Sequence, residues 1–495
     1  MNPWTNLGIF ILFIVYLAFL LYLFGGFTKT TMLWLLIFVP LFIWLIFASS
    51  SCGPCNSVSV DSDLDESESD MKLIEESEPK QIKLPGEFEL VEHGLSIGDA
   101  TANVATLKGG ITYAKLKDLI HDKNFVTKYA AAMRNALILK KDRLNRVLTQ
   151  TYSELKALNN GSLDNGFKNL FKANEDIDLL QMIINKIKGL IEEIKAKYHT
   201  ITDEKAFYGL RSSLFDHTNG METLIGREDV KNFLAVQIYT FANNPRVFLN
   251  NFQNIVISGD AGIGKTKLAQ VIGHVYASSG ILVRNHVQIT TKKNFTTPYV
   301  NESARMTSKL LMSCLESVVF IDEAYDLTPA ASAIFGQNYD HGNEAIAELV
   351  NFTDKMIGVS VIIAAGYQKE MESRFLNANE GMRRRFPHNL KLTGYDSKSL
   401  TVILLRFMGK IISTSFSKDD YNYIFSLVNY INDKRPDVFK NQAGDMENLS
   451  SSISKAIYAS PGLIWEKDSQ EIIKNGFNIF LTNKGICLDG EQDSD

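Results

Sequence analysis

Residues 254–273 read NIVISGDAGIGKTKLAQVIG. A short β-favouring run, Ile255 to Ser258, leads into a glycine-rich loop, and a helical pattern of apolar positions begins directly after it. The loop has the form G-x-x-x-x-G-K-T, spelled by Gly259, Asp260, Ala261, Gly262, Ile263, Gly264, Lys265 and Thr266, with Leu268 one turn into the helix. Glycines let consecutive backbone N–H groups curl around a phosphate, and the start of the following helix adds favourable potential there. Lys265 is placed to reach the β and γ phosphates of a nucleotide, and the Thr266 hydroxyl is placed to hold Mg²⁺. This stretch predicts a parallel α/β sheet with a nucleotide at its carboxyl edge.

Working outward, residues 317–327, SVVFIDEAYDL, form a buried apolar strand that ends in two acids, Asp322 and Glu323. Beside a phosphate loop, the first acid can bind Mg²⁺ through water and the second can polarise an attacking water. Two acids ending a strand at a solvated edge would otherwise need no function. The phosphate loop decides for the catalytic reading.

Five stretches carry a resemblance, the strand-and-acid stretch among them: LIGREDVK at 224–231, FIDEAYDL at 320–327, GNEAIAEL at 342–349, IIAAGYQKEME at 362–372 and GMRRRFP at 381–387. In this order and spacing the chain from Leu214 to Ala456 resembles AAA+ ATPases, and within them the family of red-type Rubisco activase and stage V sporulation protein K. The resemblance implies a P-loop AAA+ parallel-sheet core with a C-terminal helical lid. It also implies a homo-oligomeric ring, usually a hexamer, that uses ATP and Mg²⁺ to remodel a protein client. By the same resemblance, Tyr367 stands at a polar sensor position. Tyr299 and Val300, followed by Asn301 where the family has glycine, stand at a pore loop that grips the client. Arg385 corresponds to an arginine acting on a neighbouring subunit's nucleotide, with Arg384 and Arg383 as fallbacks. Glu323, Arg385 and Lys265 are therefore the expected catalytic set. In the lid stretch AGDMENLSSSISKA, 443–456, Glu447 falls where the family carries a γ-phosphate-sensing arginine.

The remainder lies outside this resemblance. Two charge-free apolar runs, Leu7–Phe24 and Met32–Ala48, approach the roughly 18–20 residues that span a bilayer. They predict a transmembrane helical hairpin over 1–50, two spans that leave the ATPase domain cytosolic. Just beyond it sits Cys52-Gly-Pro-Cys55, the tetrad of thioredoxin-like redox centres, yet without the strand and helix such a centre needs. Residues 51–96 are acidic and serine-rich and read as a disordered linker. Residues 97–205 show helical periodicity broken by NNGSLDNG, predicting an antiparallel helical, coiled-coil-like pair that serves either as a client-binding module or as a spacer. Residues 206–393 make the nucleotide-binding domain and 394–495 the helical lid and tail.

A formal charge of −5 over 495 residues, with no basic stripe, predicts no nucleic-acid partner. The other two cysteines, Cys314 and Cys487, lie far from the tetrad at Cys52 and show no zinc-like spacing. The expected function is a membrane-anchored AAA+ ATPase that remodels or threads a protein through a ring pore. The alternatives are a slow or non-hydrolysing ATP-binding membrane scaffold and an ATP-dependent nucleic-acid loader.

Overall fold

A computed structural model describes residues 111–161, 167–297, 299, 302–328, 342–411, 415–459 and 462–486. The helical region begins with α1 (Tyr113–Leu119), whose first turn is capped by the Thr112 hydroxyl accepting from the Lys115 N–H. Two long helices follow, α2 (Lys123–Gly161) and α3 (Phe167–Thr200). Next is α4 (Asp203–Phe215), capped by Thr202 and opened by two acids that suit a helix N-terminus. Then come α5 (Glu228–Asn243) and the short α6 (Pro245–Asn250), with proline in its first turn.

The sheet elements alternate with helices: β1 (Ile255–Ser258), α7 (Lys265–Ser278), β2 (Val287–Thr290), α8 (Glu302–Ser313), β3 (Val318–Ile321), α9 (Gly342–Lys355), β4 (Val361–Gly366), the short α10 (Met382–Arg385) and β5 (His388–Lys391). All five strands are parallel in the order β2-β3-β4-β1-β5. β1, β3 and β4 are buried at every position, which is why they read as unbroken apolar runs and not as alternating ones. At the amino edge, buried Asn254 ties three segments together. Its Oδ1 accepts from the Ile362 N–H at 2.9 Å and its Nδ2 donates to the Arg385 carbonyl at 2.9 Å.

The helical pair is not a detached spacer. Its apolar face, including Tyr129, Leu137, Ile187 and Ile191, lies in the same hydrophobic core as the strands. Polar groups follow it inward. Tyr129 donates to the Ser279 carbonyl at 2.8 Å, Arg143 to Leu249 O at 3.0 Å and Lys197 to Val283 O at 2.8 Å. Lys140 donates to Ile281 O and to the Glu316 carboxylate, both at 2.6 Å, and this ion pair is sealed from solvent, 1% and 0% exposed.

The lid comprises α11 (Ser397–Ile411), α12 (Lys418–Lys434), α13 (Ala443–Ala459) and α14 (Trp465–Asn483). It closes around a second core of its own, with Leu404, Val428, Phe439, Ile453 and Phe477 at the centre.

The expected multi-pass membrane placement with a cytosolic ATPase domain is corrected here: among the described residues no helix is long and apolar enough to cross a membrane. The helices with the length to span, α2, α3 and α14, each carry several charged side chains, which could not be left in hydrocarbon. The runs Leu7–Phe24 and Met32–Ala48, the tetrad at Cys52 and the acidic stretch 51–96 lie outside the described residues.

Candidate nucleotide site

β1 delivers the glycine-rich loop to the carboxyl edge of the sheet. Gly262 (φ 69°) and Gly264 (φ 95°) take left-handed backbone there, so the loop can turn tightly and begin α7. At Gly262 a Cβ would stand 2.1 Å from the Asn441 carbonyl oxygen of the lid, so glycine is also what lets the lid approach. Lys265 is buried, and its ammonium donates to the Gly259 carbonyl at 2.9 Å and the Asp260 carbonyl at 3.1 Å. Leu268 is buried, packs in the core cluster of the sheet and also lines the cavity described below.

β3 brings in the acids. The Asp322 N–H donates to Thr290 O at 2.8 Å, and the Asp322 Oδ1 accepts from the Glu323 N–H at 3.2 Å. Glu323 itself lies in the left-handed region (φ 48°, ψ 49°), uncommon for a residue with a side chain. Its Oε2 is buried and has no hydrogen-bond partner among the described residues.

These groups meet at a cavity of about 780 Å³ lined by the loop residues Asp260 to Leu268 and by Asp322 and Glu323. The opposite wall comes from the lid and from the segment His217–Arg227. Tyr395 donates to Ile263 O at 3.2 Å, and the Arg227 guanidinium lies 3.9 Å above its ring. Arg406 of α11 donates to Thr223 O at 3.0 Å and His217 O at 2.9 Å, joining lid and base. Burial lowers the Arg406 pKa from its usual value. Lys267 and Lys410 bring further positive charge to the same end, and Lys267 is lowered first by burial and then by these two neighbours. Glu447 does line the cavity, together with Gly444.

The residues read from sequence are therefore brought together in part. The phosphate-loop residues, Asp322 and Glu323 share one cavity. Tyr367 is not in its wall; its ring stands 5.1 Å from the Lys265 ammonium. Tyr299 is 68% exposed on the loop before α8, while Val300 and Asn301 lie outside the described residues. Arg385 is held within its own chain. Only 8% of its side chain is exposed, it is paired with Asp354 of α9, and it donates to Gly381 O at 3.0 Å. Arg384 beside it also reaches Asp354, at 4.0 Å, but is 72% exposed. Sequence reasoning did not find Tyr395, Arg406 or Lys410. α11 shows only an ordinary amphipathic pattern, so nothing local marks which of its cations faces the cavity.

The site has the makings of an ATP–Mg²⁺ pocket. A glycine cradle sits at a helix start, a lysine rests on the loop's own carbonyls, and a buried carboxylate oxygen lacks a donor. Residues 255–388 match the model of the ATPase family associated with various cellular activities (AAA). Stage V sporulation protein K of Bacillus subtilis is 27% identical over 247 residues, covering 48% of this chain and 73% of that protein. The ESX-3 secretion system protein EccA3 of Mycolicibacterium smegmatis is 31% identical over 180 residues, 35% of this chain and 28% of that one. The ESX-1 secretion system protein EccA1 of the same species is 31% identical over 167 residues, 33% of this chain and 27% of that one. The chain thus spans little more than a quarter of these two secretion-system relatives. The matched family model, the parallel sheet and the phosphate loop thus coincide over residues 255–388, the part of the chain that is similar to AAA-family ATPases.

Proposed function

We propose that the chain hydrolyses ATP in a ring of identical subunits and uses the resulting lid motion to remodel a protein client. One observation carries this reading: the phosphate loop, Asp322 and Glu323 converge on a cavity whose far wall is the lid. In this mechanism the loop N–H groups and Lys265 bind the substrate's phosphates. Lys265 gives up the Gly259 and Asp260 carbonyls to do so. Thr266 and Asp322 would hold Mg²⁺, which would neutralise charge on the phosphates. Glu323 orients the attacking water through its unpartnered Oε2 and takes its proton.

The arginine acting in trans is assigned to Arg384. Its exposure supports this, whereas Arg385 is neutralised by Asp354 inside its own chain. Tyr299, exposed ahead of α8, is assigned to client contact; an aromatic side chain offers large area without sequence reading. A second reading, an ATP-binding scaffold with slow turnover, is favoured by the Glu447 carboxylate in a wall that also faces an anionic substrate.

The test is phosphate release by the full chain, with Lys265→Ala and Glu323→Gln as blanks. Turnover lost in both blanks, with ATP still bound by Glu323→Gln, supports the hydrolase. ATP binding with wild-type turnover no faster than the blanks would establish the scaffold. Arg384→Ala should lower turnover by roughly 10³, and mixing it with Lys265→Ala should restore part of the activity. Equal loss with Arg385→Ala and no loss with Arg384→Ala would return the role to Arg385.

A further inference from the structure

Where the helical pair meets the nucleotide domain, cations find acids or carbonyls. Lys140 is sealed against Glu316, Arg284 pairs with Glu193 at 2.6 Å, Arg305 holds Glu175 and Asp176, and Lys197 donates to the Val283 carbonyl at 2.8 Å. One stretch of this boundary differs. A cavity of about 230 Å³ lies between α2 and α6, lined from α2 by Lys140, Arg143 and Arg146 and from α6 by Arg246, Leu249 and Asn250. Spacings of three and four residues place each set on a single helix face. No carboxylate lines the cavity. Lys140 is neutralised by Glu316, so the charge left in the wall is that of three guanidinium groups.

Arg143 is built into this wall. It donates to Leu249 O at 3.0 Å and to Asn250 Oδ1 at 2.8 Å, and a Cβ on Gly358, in the turn before β4, would stand 3.0 Å from its Nη1. Gly358 has φ 71°, so that position is kept bare and the guanidinium rests against backbone. These two bonds leave three of the five N–H donors of Arg143 for another acceptor. Arg146 and Arg246 have no hydrogen bond or ion pair among the described residues. Burial, and after it the charge of Arg146, lowers the Arg143 pKa from its usual value. Packing thus gathers three cations with no counter-charge in their wall.

We propose that this cavity binds a phosphate group, carried by a small phosphorylated solute or by a lipid headgroup, which bridges Arg143 and Arg146 of α2 to Arg246 of α6. A carboxylate would bring one charge and two oxygens to three guanidinium groups. A phosphate brings about two charges near neutral pH and three acceptor oxygens, and guanidinium matches such oxygens bidentately. The site is independent of the hydrolase reading. None of its residues lines the nucleotide cavity, and all lie outside the residues matched to the AAA family.

The experiment is calorimetric titration of the full chain with inorganic pyrophosphate, in a Lys265→Ala background so that the phosphate loop competes little for the probe. Sedimentation with phosphatidylcholine vesicles, with and without phosphatidic acid, runs beside it. Each is repeated with Arg146→Gln, Arg246→Gln and both; Arg143 is kept because its bonds hold α6. Each glutamine should weaken binding roughly tenfold, and added salt should weaken it further. Without pyrophosphate the double variant should melt at or above its parent, since two repelling charges are gone. With pyrophosphate only the parent should gain stability. Titration by pyrophosphate assigns the site to a solute. Sedimentation with phosphatidic acid vesicles alone, lost in the double variant, assigns it to a headgroup; both results support the proposal. Identical binding by parent and double variant, or binding of neither probe, overturns it. A double variant that melts well below a parent unresponsive to pyrophosphate also overturns it, since the arginines are then packing groups.

Discussion

The helical pair α2–α3 and the lid both border the sheet that holds the nucleotide site, but they are attached in different ways. The pair contributes Tyr129, Ile187 and Ile191 to the core of the strands and drives Lys140 down to a buried partner at the foot of β3. The lid keeps its own core and meets the nucleotide domain around the cavity: Tyr395 packs against both cores and donates to Ile263, Ile225 packs on the lid core, Arg406 donates to Thr223 and His217, and Asn441 lies over Gly262. A shared core transmits strain as one body, because packed interiors do not deform smoothly. Two cores joined by a few hydrogen bonds and two partly buried side chains, Tyr395 and Ile225, can rotate against each other more easily than one shared core can deform. The pair should therefore travel with the sheet, and the lid should be the part that responds to the nucleotide.

The sharpest way to break this comparison is Lys140→Met. It leaves Glu316 buried without its ion-pair partner and with the Val283 N–H as its remaining donor, a loss of about 3–5 kcal/mol, and calorimetry should show one lowered transition for the pair and nucleotide domain together. A separate early transition for α2 and α3, with ATP binding intact, would show that the pair is an independent body. The variant also has a pH signature. Burial raises the Glu316 pKa, and Lys140 opposes that rise. Without the ammonium the folded-state value climbs further above the unfolded one. The native state then binds more protons than the unfolded chain, so stability falls as pH rises. Part of the loss should return on acidification from neutral pH toward 5.

A smaller effect is expected on the lid side. Arg406→Gln removes two charged hydrogen bonds to backbone carbonyls, about 1–2 kcal/mol of lid docking. ATP affinity, read with a fluorescent analogue, should weaken roughly tenfold while the main melting transition stays nearly in place. A large fall in melting temperature instead would mean that the lid is part of the common core.

The smallest effect sharpens the boundary of the pair. Arg305 of α8 pairs with Glu175 and, at 2.9 Å, with Asp176 of α3. The acids are partly exposed, so Asp176→Asn should cost under about 1 kcal/mol. The measurement is the shift of the denaturation midpoint at low and at high salt. A change above about 2 kcal/mol, insensitive to salt, would show that this contact belongs to the buried interface.

Much of the nucleotide site was legible because its parts are contiguous. The strand, glycines, lysine and threonine fall within 255–266, and the two acids directly follow a strand whose apolar run marks it as buried. The second half of the site was not legible in this way. Arg406 faces the cavity because of how α11 docks, and Glu447 and Gly444 occupy the wall where an arginine was looked for.

The sequence by itself determined the parallel α/β core and the phosphate-binding loop, since the loop's backbone geometry is set by the residues within it. It also determined the acid pair, because a buried strand next to a phosphate loop leaves those side chains one place to go. Only the tertiary structure decided which elements share a core and which charges are spent. Lys140 and Glu316 are 176 positions apart and neither neighbourhood announces the other. Arg385 and Arg384 are adjacent and chemically identical and both reach Asp354, yet one is buried against it while the other, 4.0 Å away, stays 72% exposed. Local sequence sets a residue's chemistry and its backbone, whereas long-range packing sets its partner, and the partner decides whether a charge holds the fold or remains available for a ligand.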